Sequence, residues 1–157
     1  MTMKIGVIAD THGLMRPEAL EALRGSDLIL HAGDIGKPTV IEALQTVALV
    51  VAVRGNNDNG DWANSFAETE VVRAESMLIY MLHDLAELDL DPGAANIGVV
   101  VSGHSHTPIV ETRRGVLYLN PGSAGPRRFQ LPISVARLTV AGHAAHAELV
   151  YLDRGDG

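Results

Sequence analysis

Carboxylates, imidazoles and carboxamides recur in this 157-residue chain at the ends of apolar runs, and together they could hold metal ions. Lys4–Ala9 runs into Asp10-Thr11-His12, and Leu28-Ile29-Leu30 into His31-Ala32-Gly33-Asp34. Leu49–Val53 leads to Gly55-Asn56-Asn57-Asp58, Met77–Leu82 stops at His83, and Ile97–Val101 reaches Gly103-His104-Ser105-His106. Nitrogen and oxygen donors without sulfur suit manganese, iron, zinc, nickel or cobalt better than calcium. The Asp34 carboxylate has two oxygens and can bridge two cations, Asn56 offers a neutral amide oxygen, and His83 adds an imidazole. Two divalent ions roughly 3.5–4 Å apart would acidify a shared water and clamp a phosphate oxygen. Singly, each motif has a plainer reading: Asp-x-His as a loop cap, Gly-Asn-Asn-Asp as turn chemistry, His83 as a hydrogen-bonded core histidine. Their coincidence at five strand ends favours the metal reading.

Such convergence needs strands that all end at one edge. The Val- and Ile-rich runs read as strands buried on both faces, and ligands of layered α/β folds gather outside strand carboxyl ends. Helical patterns at Pro17–Leu23 and at 38–47 separate the first three runs, each with a proline suited to a first turn. A βαβαβ opening implies parallel strands with right-handed crossovers. If extended backbone persists past the strands, Asp10 and His12 point the same way, as do His104 and His106. Beyond Glu70 the pattern turns to hairpins, around Arg113-Arg114-Gly115 and around Ala141-Gly142-His143. The expectation is one α/β domain over 1–157, with two mixed sheets packed face to face and helices outside. Residues 59–68, carrying Trp62 and Phe66, read as a flexible loop over the site.

Composition narrows the partners. A net charge of -7 and 4% aromatic residues argue against a general nucleic-acid binder, which needs a basic footprint and stacking platforms. Divalent ions would still let the local field attract an anionic substrate. The absence of cysteine excludes disulfide scaffolds and thiolate zinc sites. No apolar stretch approaches bilayer-spanning length, and Met1-Thr2-Met3 leads straight into strand-like sequence without a signal-peptide pattern. A cytoplasmic protein without membrane contact is therefore expected.

The ordered set Asp10-x-His12, Gly33-Asp34, Gly55-Asn56-x-Asp58, His83 and Gly103-His104-x-His106 resembles the calcineurin-like metallophosphoesterase superfamily. Asn120-Pro121-Gly122-Ser123 narrows the resemblance to small bacterial and archaeal phosphodiesterases of the YfcE type. The resemblance covers Lys4 to about Leu152 and implies a four-layer αββα sandwich. It implies two divalent ions, Mn2+ the first choice, with Ni2+, Co2+, Fe2+ or Zn2+ as alternatives. Asp10, His12, Asp34 and His106 would hold one; Asp34, Asn56, His83 and His104 the other. The activity it implies is hydrolysis of a small phosphodiester by a metal-bridging hydroxide, with Asp34, Asn56, Asn57 and His104 as catalytic residues and a homodimer as a reasonable assembly. Phosphomonoester hydrolysis and a scaffold like the retromer subunit of similar fold are the rival readings.

Two positions depart from the pattern. Asn57 stands where many members have His; it can donate a hydrogen bond but has no proton to release at neutral pH, so alkoxide-like leaving groups should be poor. Asp58 would then lose a partner to orient and serve as a cap. Asp84 stands where Gly is common and could cap a turn, orient His83 or supply a proton. Asn120–Ser123 reads as a buttress for the His104 loop, His31 as packed near the site, and His143 and His146 as surface residues. Arg54 reads as an ion-pair donor, and Arg127 and Arg128 as solvated residues within reach of an anion.

Overall fold

The structure, a computed structural model, describes residues 1–154, and among these ten strands and two short α-helices carry the fold. Alternation between strand and helix occupies the first third: β1 (Thr2–Ile8), α1 (Pro17–Ala22), β2 (Leu28–His31), α2 (Pro38–Gln45) and β3 (Leu49–Ala52). Both helices begin with proline at the first turn, where a missing N–H costs nothing. β4 (Thr69–Ala74), β5 (Met77–Leu82), β6 (Ile97–Val101), β7 (Ile109–Arg113), β8 (Val116–Asn120), β9 (Ile133–Ala141) and β10 (Ala144–Asp153) follow.

The first sheet has the order β10-β9-β1-β2-β3, with β1, β2 and β3 parallel and the β9–β10 hairpin added antiparallel beside β1. The second has the order β4-β5-β6-β8-β7, with β5, β6 and β8 parallel between two antiparallel edge strands. Their facing sides interdigitate through Val7, Leu30, Met81, Val99 and Leu138, all buried. On the outer side of the first sheet, Leu23, Val40 and Leu44 of the helical segments cover Ile8, Ile29 and Val135. The outer side of the second buries Tyr80, Leu82, Val100 and Val116 under Leu85, Leu88 and Leu90, which belong to a 3-10 turn and its following loop. The sandwich has its expected layers, the fourth reduced to that turn.

Two local expectations change. β3 is a sheet edge rather than a strand buried on both faces, and Leu49 is 73% exposed. Residues 59–68 are not a flap: Asp61–Ser65 forms a 3-10 helix, and Trp62 and Phe66 lie half-buried against the helix-side core. Their rings meet edge to face at 6.3 Å, so burial of two aromatic side chains holds this segment down. What matters for function is direction. β1, β2, β3, β5 and β6 all present their carboxyl ends to one edge, where the two sheets bring five loops together.

Candidate metal centre

Each of those five loops contributes at least one polar side chain. Asp10 and His12 follow β1, Asp34 follows β2, Asn56 follows β3, His83 follows β5, and His104 and His106 follow β6. Extended backbone does not carry on past the strands. Asp10, His12, Asp34, His104 and His106 are all left-handed, with φ between 48° and 71°. That conformation costs an L-residue roughly 1–2 kcal/mol and persists only where surrounding contacts enforce it. The enforcing contacts are visible: Asp10 N–H donates to Gly33 O at 3.0 Å, and His12 N–H to Asp34 O at 2.9 Å. His104 N–H donates to Asp10 Oδ2 at 3.0 Å across 94 residues of chain. Glycine is required where loops touch: at Gly33 (φ +101°) a Cβ would lie 2.6 Å from His83 Nδ1, and at Gly55 it would overlap the Asp34 carboxylate.

The donor atoms fall into two groups that share Asp34. In the first, His106 Nε2 lies 3.6 Å from Asp10 Oδ1 and 3.4 Å from His12 Nε2, which is 3.7 Å from Asp34 Oδ2. In the second, His83 Nε2 lies 3.3 Å from Asp34 Oδ2 and 3.3 Å from His104 Nδ1, which is 3.2 Å from Asn56 Oδ1. His83 Nε2 is also 3.9 Å from Asp10 Oδ1, so the groups adjoin. Ligand atoms of Asp10, His12 and His106, and likewise of Asp10, Asp34 and His83, lie within 4.8 Å of one another, as metal ligands would.

The electrostatics are those of a centre built for cations. Asp10 is fully buried and its Oδ1 has no hydrogen-bond donor. Burial, helped by the nearby Asp34 charge and opposed by His83, pushes its carboxyl up to about 7. For Asp34, burial acts upward, but hydrogen bonds from His83 and the Asn57 N–H outweigh it and bring the carboxyl down to about 2. His83 is moved up: its own burial is overcome by the Asp34 hydrogen bond, the Ala32 carbonyl and both carboxylates. Its Nδ1 sits 2.8 Å from Ala32 O, which can only accept, so Nδ1 holds a proton and Nε2 faces inward. Burial, then the charges of Arg128 and His12, lowers His106 to about 4. Facing imidazole nitrogens at 3.3–3.4 Å, together with a buried carboxylate oxygen lacking a donor, accommodate cations better than protons. The donor set therefore fits divalent ions.

Asn57 is half of a clamp on Asp34: its N–H donates to Oδ1 at 3.0 Å and its amide to Oδ2 at 3.2 Å. Asp58 does more than cap a turn. Its two oxygens accept from the N–H groups of Gly55 (2.8 Å), Ile35 (3.0 Å) and Gly36 (2.9 Å), tying the Asn56 loop to the Asp34 loop. Only the Gly-Asn-Asn-Asp turn signal pointed to it, and that signal does not reveal the two donors from another loop. Buried His31 accepts from Gly33 N–H and meets Thr11 Oγ1 at 3.0 Å; burial, with the neighbouring His83 charge, lowers it to about 3, so it stays neutral. Asn120 donates to Gly103 O and Ser105 Oγ, and Ser123 Oγ donates to Asp10 O, so residues 120–123 brace both the His104 and Asp10 loops.

Asp84 caps the 3-10 turn through Ala86 N–H, and its other oxygen lies 3.8 Å from His104 Nε2 rather than on His83. Arg54 pairs with Glu68 at 3.4 Å and Arg127 with Asp153 at 2.6 Å, while exposed Arg128 lends its charge to the Asp10 and His106 side. His143 and His146 are exposed at the β9–β10 hairpin.

Comparison with known proteins agrees with this geometry. A family described as the calcineurin-like phosphoesterase superfamily domain matches residues 3–143. A probable metallophosphoesterase of Methanothermobacter thermautotrophicus is 35% identical, over 94% of this chain and 92% of its own. A phosphodiesterase of Methanocaldococcus jannaschii is 26% identical, over 76% of this chain and 83% of its own. The crystal structure of Vps29 from Chaetomium thermophilum superposes with a TM-score of 0.76 at 19% identity, covering 97% of this chain and 99% of that one.

Proposed function

The chain belongs to the calcineurin-like phosphoesterase superfamily, and we propose that it is a divalent-metal-dependent phosphodiesterase of small phosphate esters. The observation that carries this reading is the completeness of the donor set: two groups of side chains around Asp34, with Asp10 Oδ1 buried and lacking any donor. Asp10, His12, Asp34 and His106 would hold one ion, and Asp34, Asn56, His83 and His104 the other, Mn2+ being the first choice. Bound there, such ions acidify water and neutralise charge on the phosphate oxygens.

The chain's own groups then have distinct tasks. Asp34 fixes the spacing of the two positions, and Asn56 adds an oxygen without adding charge. Asn57, already a donor to Asp34, would offer the second hydrogen of its amide to a phosphate oxygen. His104, 45% exposed at the mouth, turns Nδ1 inward and Nε2 outward toward Asp84, so its Nε2–H can donate to an ester oxygen. In hydrolysis a water oxygen bonds to phosphorus as one ester P–O bond breaks, and the departing oxygen must gain a proton or leave as an anion. Asn57 has no proton to give, so the centre suits leaving groups that are stable as anions, such as aryloxides.

Two rival readings are a non-catalytic protein-binding scaffold on the fold shared with Vps29 and a phosphomonoesterase. A screen decides among them: the purified chain with Mn2+, Ni2+, Co2+, Zn2+ or Mg2+, offered aryl diesters, cyclic nucleotides and aryl monoesters. Preferential diester turnover supports the proposal, faster monoester turnover transfers it to the first rival, and no turnover in any combination favours the scaffold. The homodimer is tested by light scattering, and absence of general nucleic-acid binding by gel shift. Among the described residues no helix is long and apolar enough to cross a membrane.

A further inference from the structure

Two cavities of unlike chemistry meet at His104 and Asp84, and both residues line each of them. The larger, about 610 Å3, also borders Asn56 and His83 and therefore opens onto the centre itself. Its walls carry Glu68, Asp84, Glu87 and Asp89 against a single guanidinium, Arg54, which is already paired with Glu68. The smaller, about 190 Å3, has apolar walls at Leu85, Ile109, Tyr118 and Leu119 and a polar rim at Asp84, His104 and Ser105. Arg113 stacks over the Tyr118 ring at 4.8 Å and has Glu111 as its ion partner at 2.9 Å, so this cavity offers no spare cation for an anionic group.

We infer that the centre serves phosphodiesters with two different arms: a small apolar arm, aryl or short alkyl, beside Leu85 and Ile109, and a polar arm bearing a positive charge in the carboxylate-walled cleft. The inference rests on the phosphodiesterase reading and specifies its substrate class. Its physical basis is placement. A phosphate at the centre opens onto the cleft through Asn56, His83 and His104, and the apolar cavity adjoins it across the shared residues His104 and Asp84, so two ester substituents can take different cavities. The smaller volume holds a ring of six to ten heavy atoms, and burying it there returns apolar surface from water. The cleft disfavours a second anionic group relative to a cationic one, because four carboxylates face one guanidinium, opposing the field of the ions proposed at its inner end. Polyphosphorylated and carboxylate-bearing arms are therefore disfavoured relative to an ammonium arm.

Three p-nitrophenyl phosphodiesters differing only in the second arm test this on the metal-loaded full chain. The arms are 2-(trimethylammonio)ethyl, 2-hydroxyethyl and 2-carboxyethyl. The cationic arm should give the highest kcat/KM and the anionic arm the lowest, on the order of tenfold apart or more at low salt, shrinking as salt screens the cleft. Replacing the exposed pair together, Glu87→Gln with Asp89→Asn, should bring the cationic-to-anionic ratio toward one. Ile109→Trp, which fills the apolar cavity, should raise KM for the aryl diesters about tenfold. Equal turnover of all three arms overturns the inference and leaves the phosphodiesterase reading standing. An aryl KM unmoved in a folded Ile109→Trp variant overturns the apolar seat, and no turnover of any diester removes both readings.

Discussion

Replacing Asp10 with Asn should make the metal-free protein more stable while weakening metal binding at the position shared with His12 and His106, an outcome few catalytic substitutions would share. The carboxyl group is fully buried, and burial moves it from 3.8 to about 7. Between those values the folded chain keeps a proton that the unfolded chain has released, so this group lowers stability as pH rises through 3.8 to 7. At 1.36 kcal/mol per pH unit the deficit is on the order of 4 kcal/mol above pH 7 and less than half of that at pH 5. Asn carries no such deficit: its amide oxygen can still accept from His104 N–H, and its NH2 can donate toward His106 Nε2, now 3.6 Å from Oδ1. Melting in excess chelator at pH 5 and pH 8 measures the effect. A gain on the order of 8 °C or more is expected at pH 8, and less than half of that at pH 5. Added Mn2+ should raise the melting temperature of the parent by more than that of the variant, which keeps only the second ligand group intact. A variant that melts no higher than the parent at pH 8 would refute the argument that Asp10 is held against its charge.

Asp34→Asn should lose metal at both positions, since Asp34 Oδ2 lies near His12 and His83 alike; bound metal per chain, read by mass spectrometry, should fall toward zero and turnover with it. Stability of the metal-free protein below pH 4 should be lost as Asp34 protonates through its window from 3.8 down to about 2, and a chelated acid melt that shows no step there contradicts this. Asp58→Ala strands three N–H groups at the junction of two loops, at about 1 kcal/mol or more each, so roughly 3 kcal/mol of stability should go in chemical denaturation. Asn57→His should raise aryl monoester turnover by less than the ~10²–10⁴ of a well-placed acid, because Asp58 is committed to three backbone donors and cannot orient the new ring. A gain above that range would show that Asp58 is free to turn.

Much of the architecture was legible because covalent order and polarity carry it. A Val/Ile-rich run followed by an amphipathic proline-led helix leaves few arrangements other than parallel strands, and parallel strands deliver their following residues to one edge. Hence Asp10, His12, Asp34, Asn56, His83, His104 and His106 could be nominated as a group, and they do converge. Residues 59–68 were misread because a segment rich in polar residues looks mobile until Trp62 and Phe66 find a core face, and that face is made by helices elsewhere in the chain.

Composition and spacing alone decided which chemistries were open: donors of nitrogen and oxygen, no thiolates, five strand ends. Tertiary structure decided how those donors are aimed. The five left-handed residues, the inward Nε2 of His83, the unpaired Asp10 Oδ1 and the three-way grip of Asp58 all depend on hydrogen bonds between loops that are distant in sequence. A pattern of residue types specifies which faces are buried, because burial follows polarity position by position. It does not specify which backbone amide meets which carboxylate, because that depends on distances set only once both sheets have packed.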